Sequence, residues 1–172
     1  NGMSVVDNNS NVKRGPYTDP EARHQFYYSP FYKKSAICGT CHDVSNPAFT
    51  RTSTSTGSYT YNGDNVASPT YDLRMMFPVE RTYSEWKVSD YGPGGPDYTT
   101  CQDCHMKDVT GKGAKMKNAK VRNDLPLHDM TGGNTFIPDL VKQLFPSDVD
   151  ANALDAGKQR AKGMLQSAAE IE

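Results

Sequence analysis

The sequence predicts a mainly α-helical chain with large irregular content and little β structure, and three observations predict it. Only 35% of the 172 residues are hydrophobic, and 14 Gly and 11 Pro interrupt long regular runs. The last third carries apolar residues at helical spacing. The one β signal is a Tyr-rich stretch over residues 58–66 containing Asn62-Gly63, which reads as a small exposed hairpin.

The elements follow in order. Residues 1–23 are polar, with turn formers at Gly15-Pro16 and Asp19-Pro20, and read as an extended arm. From His24 to Pro47 the aromatics Phe26, Tyr27, Tyr28, Phe31 and Tyr32 crowd together, and Ser29-Pro30 supplies a helix start. Residues 50–70, rich in Ser, Thr, Tyr and Asn, read as a solvated polar insertion. The run from Val79 to Val88 forms a short helix around the only Trp, Trp86, and Gly92-Pro93-Gly94-Gly95-Pro96 ends it. Pro138 suits the first turn of a helix carrying Leu140, Val141, Leu144 and Phe145, which Pro146 stops. Ser147 or Asp150 then caps a longer helix whose stripe is Leu154, Ala161, Met164, Leu165, Ala168 and Ile171. That helix lacks a Gly cap, and Glu170 and Glu172 face the negative end of its dipole, so the chain is expected to continue past Glu172. The organisation expected is an arm over 1–23, a domain over 24–146 with the insertion inside it, and a C-terminal amphipathic helix over 147–172.

Composition excludes two classes. No run approaches the roughly 18 consecutive apolar residues of a membrane helix, and a formal charge of -1 gives no electrostatic footprint for nucleic acid. The chain opens on Asn1-Gly2, consistent with removal of a leader peptide.

All four cysteines fall in two short motifs, Cys38-Gly39-Thr40-Cys41-His42 and Cys101-Gln102-Asp103-Cys104-His105. A bare Cys-x-x-Cys pair also suits redox chemistry, a Cys₄ zinc site or a disulfide. The trailing His separates these readings. With four His in the chain, both pairs would be followed by one at a chance frequency of roughly 5 × 10⁻⁴. The repeated pattern is that of c-type haem attachment. Two thiols three positions apart reach one haem edge and form thioethers, and the next residue carries its imidazole beneath the ring to the iron. A zinc site would have to bridge residues 42–100 and would leave both trailing His residues unexplained. Thioredoxin-like chemistry lacks its apolar strands here.

Two further histidines, His24 and His128, match in number the two remaining axial positions, so the stoichiometry allows bis-His ligation of both irons. Methionine is the competing ligand, with Met75, Met76, Met106, Met116, Met130 and Met164 available. It ranks second, because Met more often fills gaps in a core. A basic stretch, Lys112, Lys115, Lys117, Lys120 and Arg122, contains no acid and suits either a solvated face or contact with an acidic redox partner.

The runs Ser35-Ala36-Ile37-Cys38-Gly39-Thr40-Cys41-His42-Asp43-Val44 and Tyr83-Ser84-Glu85-Trp86-Lys87, the second motif through Met106, and His128-Asp129-Met130-Thr131-Gly132-Gly133-Asn134-Thr135-Phe136 resemble the bacterial multihaem cytochromes c. The resemblance covers roughly residues 24–170. It implies a haem-cored fold with two covalent haems c, His42 and His105 as proximal ligands, and His24 and His128 as distal ligands, often to a haem attached elsewhere. The activity expected is single-electron transfer without substrate chemistry, between redox partner proteins or neighbouring multihaem subunits. A dihaem peroxidase or small-molecule reductase with one open iron site, and a subunit of a haem-bearing filament or homo-oligomer, are the alternatives. Haem c attachment takes place outside the cytoplasmic membrane, so a periplasmic or cell-surface location is expected.

Overall fold

The computed structural model describes Asn8 and residues 11–168. Most of the start of the expected arm, and the chain end bearing Glu170, Ile171 and Glu172, lie outside the described residues. The chain divides into two compact units, one formed by residues up to Thr18 with Ala22–Thr99, the other by Asp19–Glu21 with the chain from Thr100 onward. Each unit contains one Cys-x-x-Cys-His motif and one of the two remaining histidines.

In the first unit β1 (Val12–Gly15) pairs in parallel with β2 (Gln25–Tyr28), Val12 opposite Gln25. Pro30–Lys33 forms a 3-10 helix, with Pro30 in its first turn, and α1 (Ala36–Gly39) follows. Then β3 (Ser45–Arg51) is flanked by β4 (Tyr59–Tyr61) and β5 (Met76–Pro78), both antiparallel to it. The helix α2 (Thr82–Val88) closes the unit and packs against α1.

The Tyr-rich stretch is not a hairpin folded on itself. Tyr61 pairs with Phe49 and Tyr59 with Arg51, so the Ser/Thr-rich residues 52–58 make the connection, and Gly63, at φ 108°, falls beyond the strand end. Aromatic contacts set this pairing: ring centroids lie 5.3 Å apart for Phe49–Tyr61, 5.8 Å for Phe49–Phe77 and 5.1 Å for Tyr59–Phe77. Pairs of this kind each contribute about 0.2–1 kcal/mol to a sheet.

In the second unit α3 (Cys101–His105) leads into a hairpin of β6 (Asp108–Lys112) and β7 (Val121–Pro126). The helices α4 (Ile137–Leu144) and α5 (Ala151–Ser167) pack on each other. Here the sequence reading holds closely. Pro138 sits in the first turn of α4, and Asp150 is the N-cap of α5, accepting from the Ala153 N–H at 3.1 Å. Ion pairs Asp139–Lys158 and Lys142–Asp155 tie the two helices together. The ammonium of Lys158, then that of Lys142, holds the Asp139 carboxyl below its usual range.

Among the described residues the fold is therefore mixed, with about 30% helix and 20% strand in three small sheets, and not the mainly α, haem-cored fold expected. The strands run three to seven residues and draw on aromatic and polar side chains, so they carry no alternating aliphatic pattern. The apolar core is thin and divided: among the described residues the buried hydrophobics are Val12, Met76 and Ala161. Phe136 is 67% exposed and Phe31 and Tyr32 are each 41% exposed. No helix among the described residues is long and apolar enough to cross a membrane.

Candidate functional site

The first motif occupies a helical turn that α1 begins. The N–H groups of Cys41 and His42 both donate to the Cys38 carbonyl, at 3.0 and 2.8 Å, and Thr40 Oγ1 donates to the Ile37 carbonyl at 2.6 Å. Positions i, i+3 and i+4 share one helix face, so Cys38, Cys41 and His42 present together. Gly39 is required by what covers it: a Cβ there would come within 2.6 Å of the Tyr83 ring. Tyr83 stacks on Trp86 at 5.5 Å, its N–H donates to the His42 carbonyl at 2.8 Å, and Trp86 Nε1 donates to the Thr99 carbonyl at 3.0 Å. This is the physical content of the Tyr83-to-Lys87 run: α2 lies over the motif.

The second motif is α3 itself. Thr100 and Asp103 form a reciprocal capping box, in which the Thr100 N–H donates to Asp103 Oδ2 at 2.8 Å and Thr100 Oγ1 accepts from the Asp103 N–H at 3.3 Å. This starts the turn one residue before Cys101. Again the two thiols and the imidazole lie at i, i+3 and i+4. In both motifs the first Cys is half-buried, the second Cys and the His are exposed, and no thiol is in a disulfide.

The histidines share a feature. His42 Nδ1 lies 2.9 Å from Glu80 Oε1, and His105 Nδ1 lies 2.5 Å from the Thr131 carbonyl oxygen. A carboxylate and a carbonyl only accept, so Nδ1 carries a proton in each ring, and in the neutral ring Nε2 holds the lone pair. The His42 N–H, then the Thr82 hydroxyl, holds the Glu80 carboxyl below its usual range. His24, exposed at the edge of β2, has Nδ1 3.1 Å from the Gln25 carbonyl and the same tautomer. His128 is exposed just past β7. Of the methionines weighed as ligands, Met76 is buried in the core and Met130 is 68% exposed with φ 44°.

The donor set fits covalent haem. Among the described residues no three His, Cys, Asp or Glu side chains converge to hold a metal ion by themselves. Convergence is not what attachment needs: two thiols must span a porphyrin edge while one imidazole reaches its centre, and each turn offers two thiols outside any disulfide and an Nε2 whose partner nitrogen is already held. Such anchoring is characteristic of metal-ligating imidazoles.

Sequence reasoning missed Glu80 and Thr131, the residues that hold the His42 and His105 rings, because they lie 38 and 26 positions from them. It also missed the role of Asn134, whose Oδ1 accepts from the N–H groups of Phe136 and Ile137 at 2.9 and 2.8 Å and starts α4. The basic stretch is partly neutralised. Lys120 and Arg122 pair with Asp19 at 2.8 and 2.5 Å and lower its pKa to about 2, so the exposed Lys112, whose ammonium donates to the Lys117 carbonyl, and the exposed Lys115 and Lys117 between β6 and β7 remain as its outward charges. Comparison with known protein families, characterised proteins and solved structures finds no match for this chain.

Proposed function

We propose that the protein is a dihaem c-type electron carrier. One haem c is joined to Cys38 and Cys41 with His42 as proximal ligand, and a second to Cys101 and Cys104 with His105. The observation that carries this reading is the pair of pinned imidazoles, each on a turn whose two thiols share its face and are in no disulfide. It agrees with the resemblance to multihaem cytochromes. When bound, haem supplies a one-electron couple at its iron.

The chain's own residues do the rest. The thiols hold each group covalently, so its position survives both oxidation states. Nδ1–H bonds fix the orientation of His42 and His105, which limits rearrangement when charge changes. Imidazoles from His24 and His128 would complete the ligand sets of the two irons, which suits electron transfer over substrate binding. Lys115 and Lys117 steer an acidic redox partner. A chain so loaded belongs in a periplasm or on a cell surface.

The test is the haem count. Produced in a host with a haem c attachment system, the denatured protein should keep two haems by intact mass, with a c-type pyridine haemochrome spectrum. An unmodified mass would overturn the reading. For the partner surface, Lys115→Glu/Lys117→Glu is expected to slow low-salt association with an acidic redox protein about tenfold, the difference shrinking as salt is added. Unchanged rates and salt dependence in stopped-flow measurements would remove the lysines from that role.

A further inference from the structure

We propose that Glu80 sets the reduction potential of the first site through His42, making the Cys38–His42 site the lower-potential member of the pair. This rests on the dihaem reading above.

The two proximal rings are held in the same way by acceptors of different charge. His42 Nδ1–H donates to a carboxylate, Glu80 Oε1 at 2.9 Å, whereas His105 Nδ1–H donates to a neutral carbonyl, that of Thr131 at 2.5 Å. An acceptor at Nδ1 raises the donor strength of Nε2, and an anionic acceptor does so more strongly. A more basic imidazole stabilises the higher charge on a bound iron. The carboxylate charge acts in the same direction, because it favours the oxidised, more positive centre. Both effects make the first site harder to reduce. Electrons then rest on the second site, and the first becomes the stronger reductant of the two.

The placement of Glu80 is built into the fold. Its N–H and that of Val79 both donate to the Val44 carbonyl, at 3.1 and 3.0 Å, two residues past His42. Thr82 Oγ1 donates to the same Oε1 at 2.8 Å. The next residue, Arg81, is fixed by Ser45 Oγ at 2.7 Å and the Leu73 carbonyl at 2.8 Å. The Glu80 side chain is 35% exposed, so bulk water only partly screens its charge. His42 is thus met by a carboxylate on a braced segment.

The experiment is a spectroelectrochemical titration of the loaded protein, with haem content measured on every sample. Wild type should give two one-electron waves. In Glu80→Gln, which keeps an acceptor oxygen and removes the charge, the lower wave alone should rise, by about tenfold in that site's reduction equilibrium, or about 59 mV for one electron. Glu85→Gln removes an exposed charge from α2 that does not touch His42, and should leave both waves in place. With two haems retained, an unmoved lower wave, a shift of the higher wave, or an equal shift in Glu85→Gln overturns the role of Glu80 while the dihaem reading stands. Absence of covalent haem from wild type overturns the underlying reading instead.

Discussion

Replacing Asp43 by Ala is expected to lower the unfolding free energy by about 3 kcal/mol, the scale of breaking a buried ion pair from one side. Asp43 follows His42 directly and is 5% exposed. Its Oδ2 accepts from Ser84 Oγ at 2.7 Å, while its buried Oδ1 has no hydrogen bond and faces the Arg81 guanidinium at 3.9 Å. Arg81, its side chain 19% exposed, also donates to Val44, Ser45 and Leu73. Removing the carboxylate strands a largely buried cation and leaves the Ser84 hydroxyl without its acceptor. Asp43→Asn keeps the Ser84 contact and removes the charge, so it should cost less than Asp43→Ala. Urea denaturation followed by far-UV circular dichroism measures both. A midpoint for Asp43→Ala equal to that of wild type would show that the network contributes nothing net. The effect matters beyond stability, because the same contacts hold the start of α2, and with it Glu80, against the first motif.

That network shows where the sequence was legible and where it was not. The motif cysteines and histidines are local: their chemistry is written in a spacing of three and four, and a single helical turn realises it. Asp150 and Pro138 are legible for the same reason, since a cap and a first turn are fixed by neighbours within four positions. Glu80, Thr131 and Arg81 act across 26 to 38 positions, and nothing in the order of residues marks them as partners. The strands were missed for a different reason. Phe49, Tyr59, Tyr61 and Phe77 bind them through ring contacts, and β1 with β2 pairs Lys13 and Arg14 with Phe26 and Tyr27. Neither has the aliphatic alternation from which a strand is read. Treating the shortage of aliphatics as a sign of helix and loop led to the mainly α expectation. The shortage instead produced small sheets with exposed faces.

Loss of the His24 and His128 imidazoles, proposed as the distal ligands, should give the most complete spectroscopic change. In the oxidised, loaded protein, His24→Ala and His128→Ala are each expected to convert one haem's low-temperature EPR signal from low spin to high spin, because an axial position passes to water or stays open. A variant that keeps the full low-spin intensity removes that residue from the ligand set. Residues 127–131 are braced against the second motif: the Leu127 N–H donates to the Lys107 carbonyl at 3.1 Å, and Thr131 is bonded to His105 twice, its N–H to the His105 carbonyl at 3.0 Å and its own carbonyl to Nδ1. Truncating the His128 side chain leaves those bonds in place, so the spectral change in His128→Ala should report the lost imidazole and not an unfolded segment.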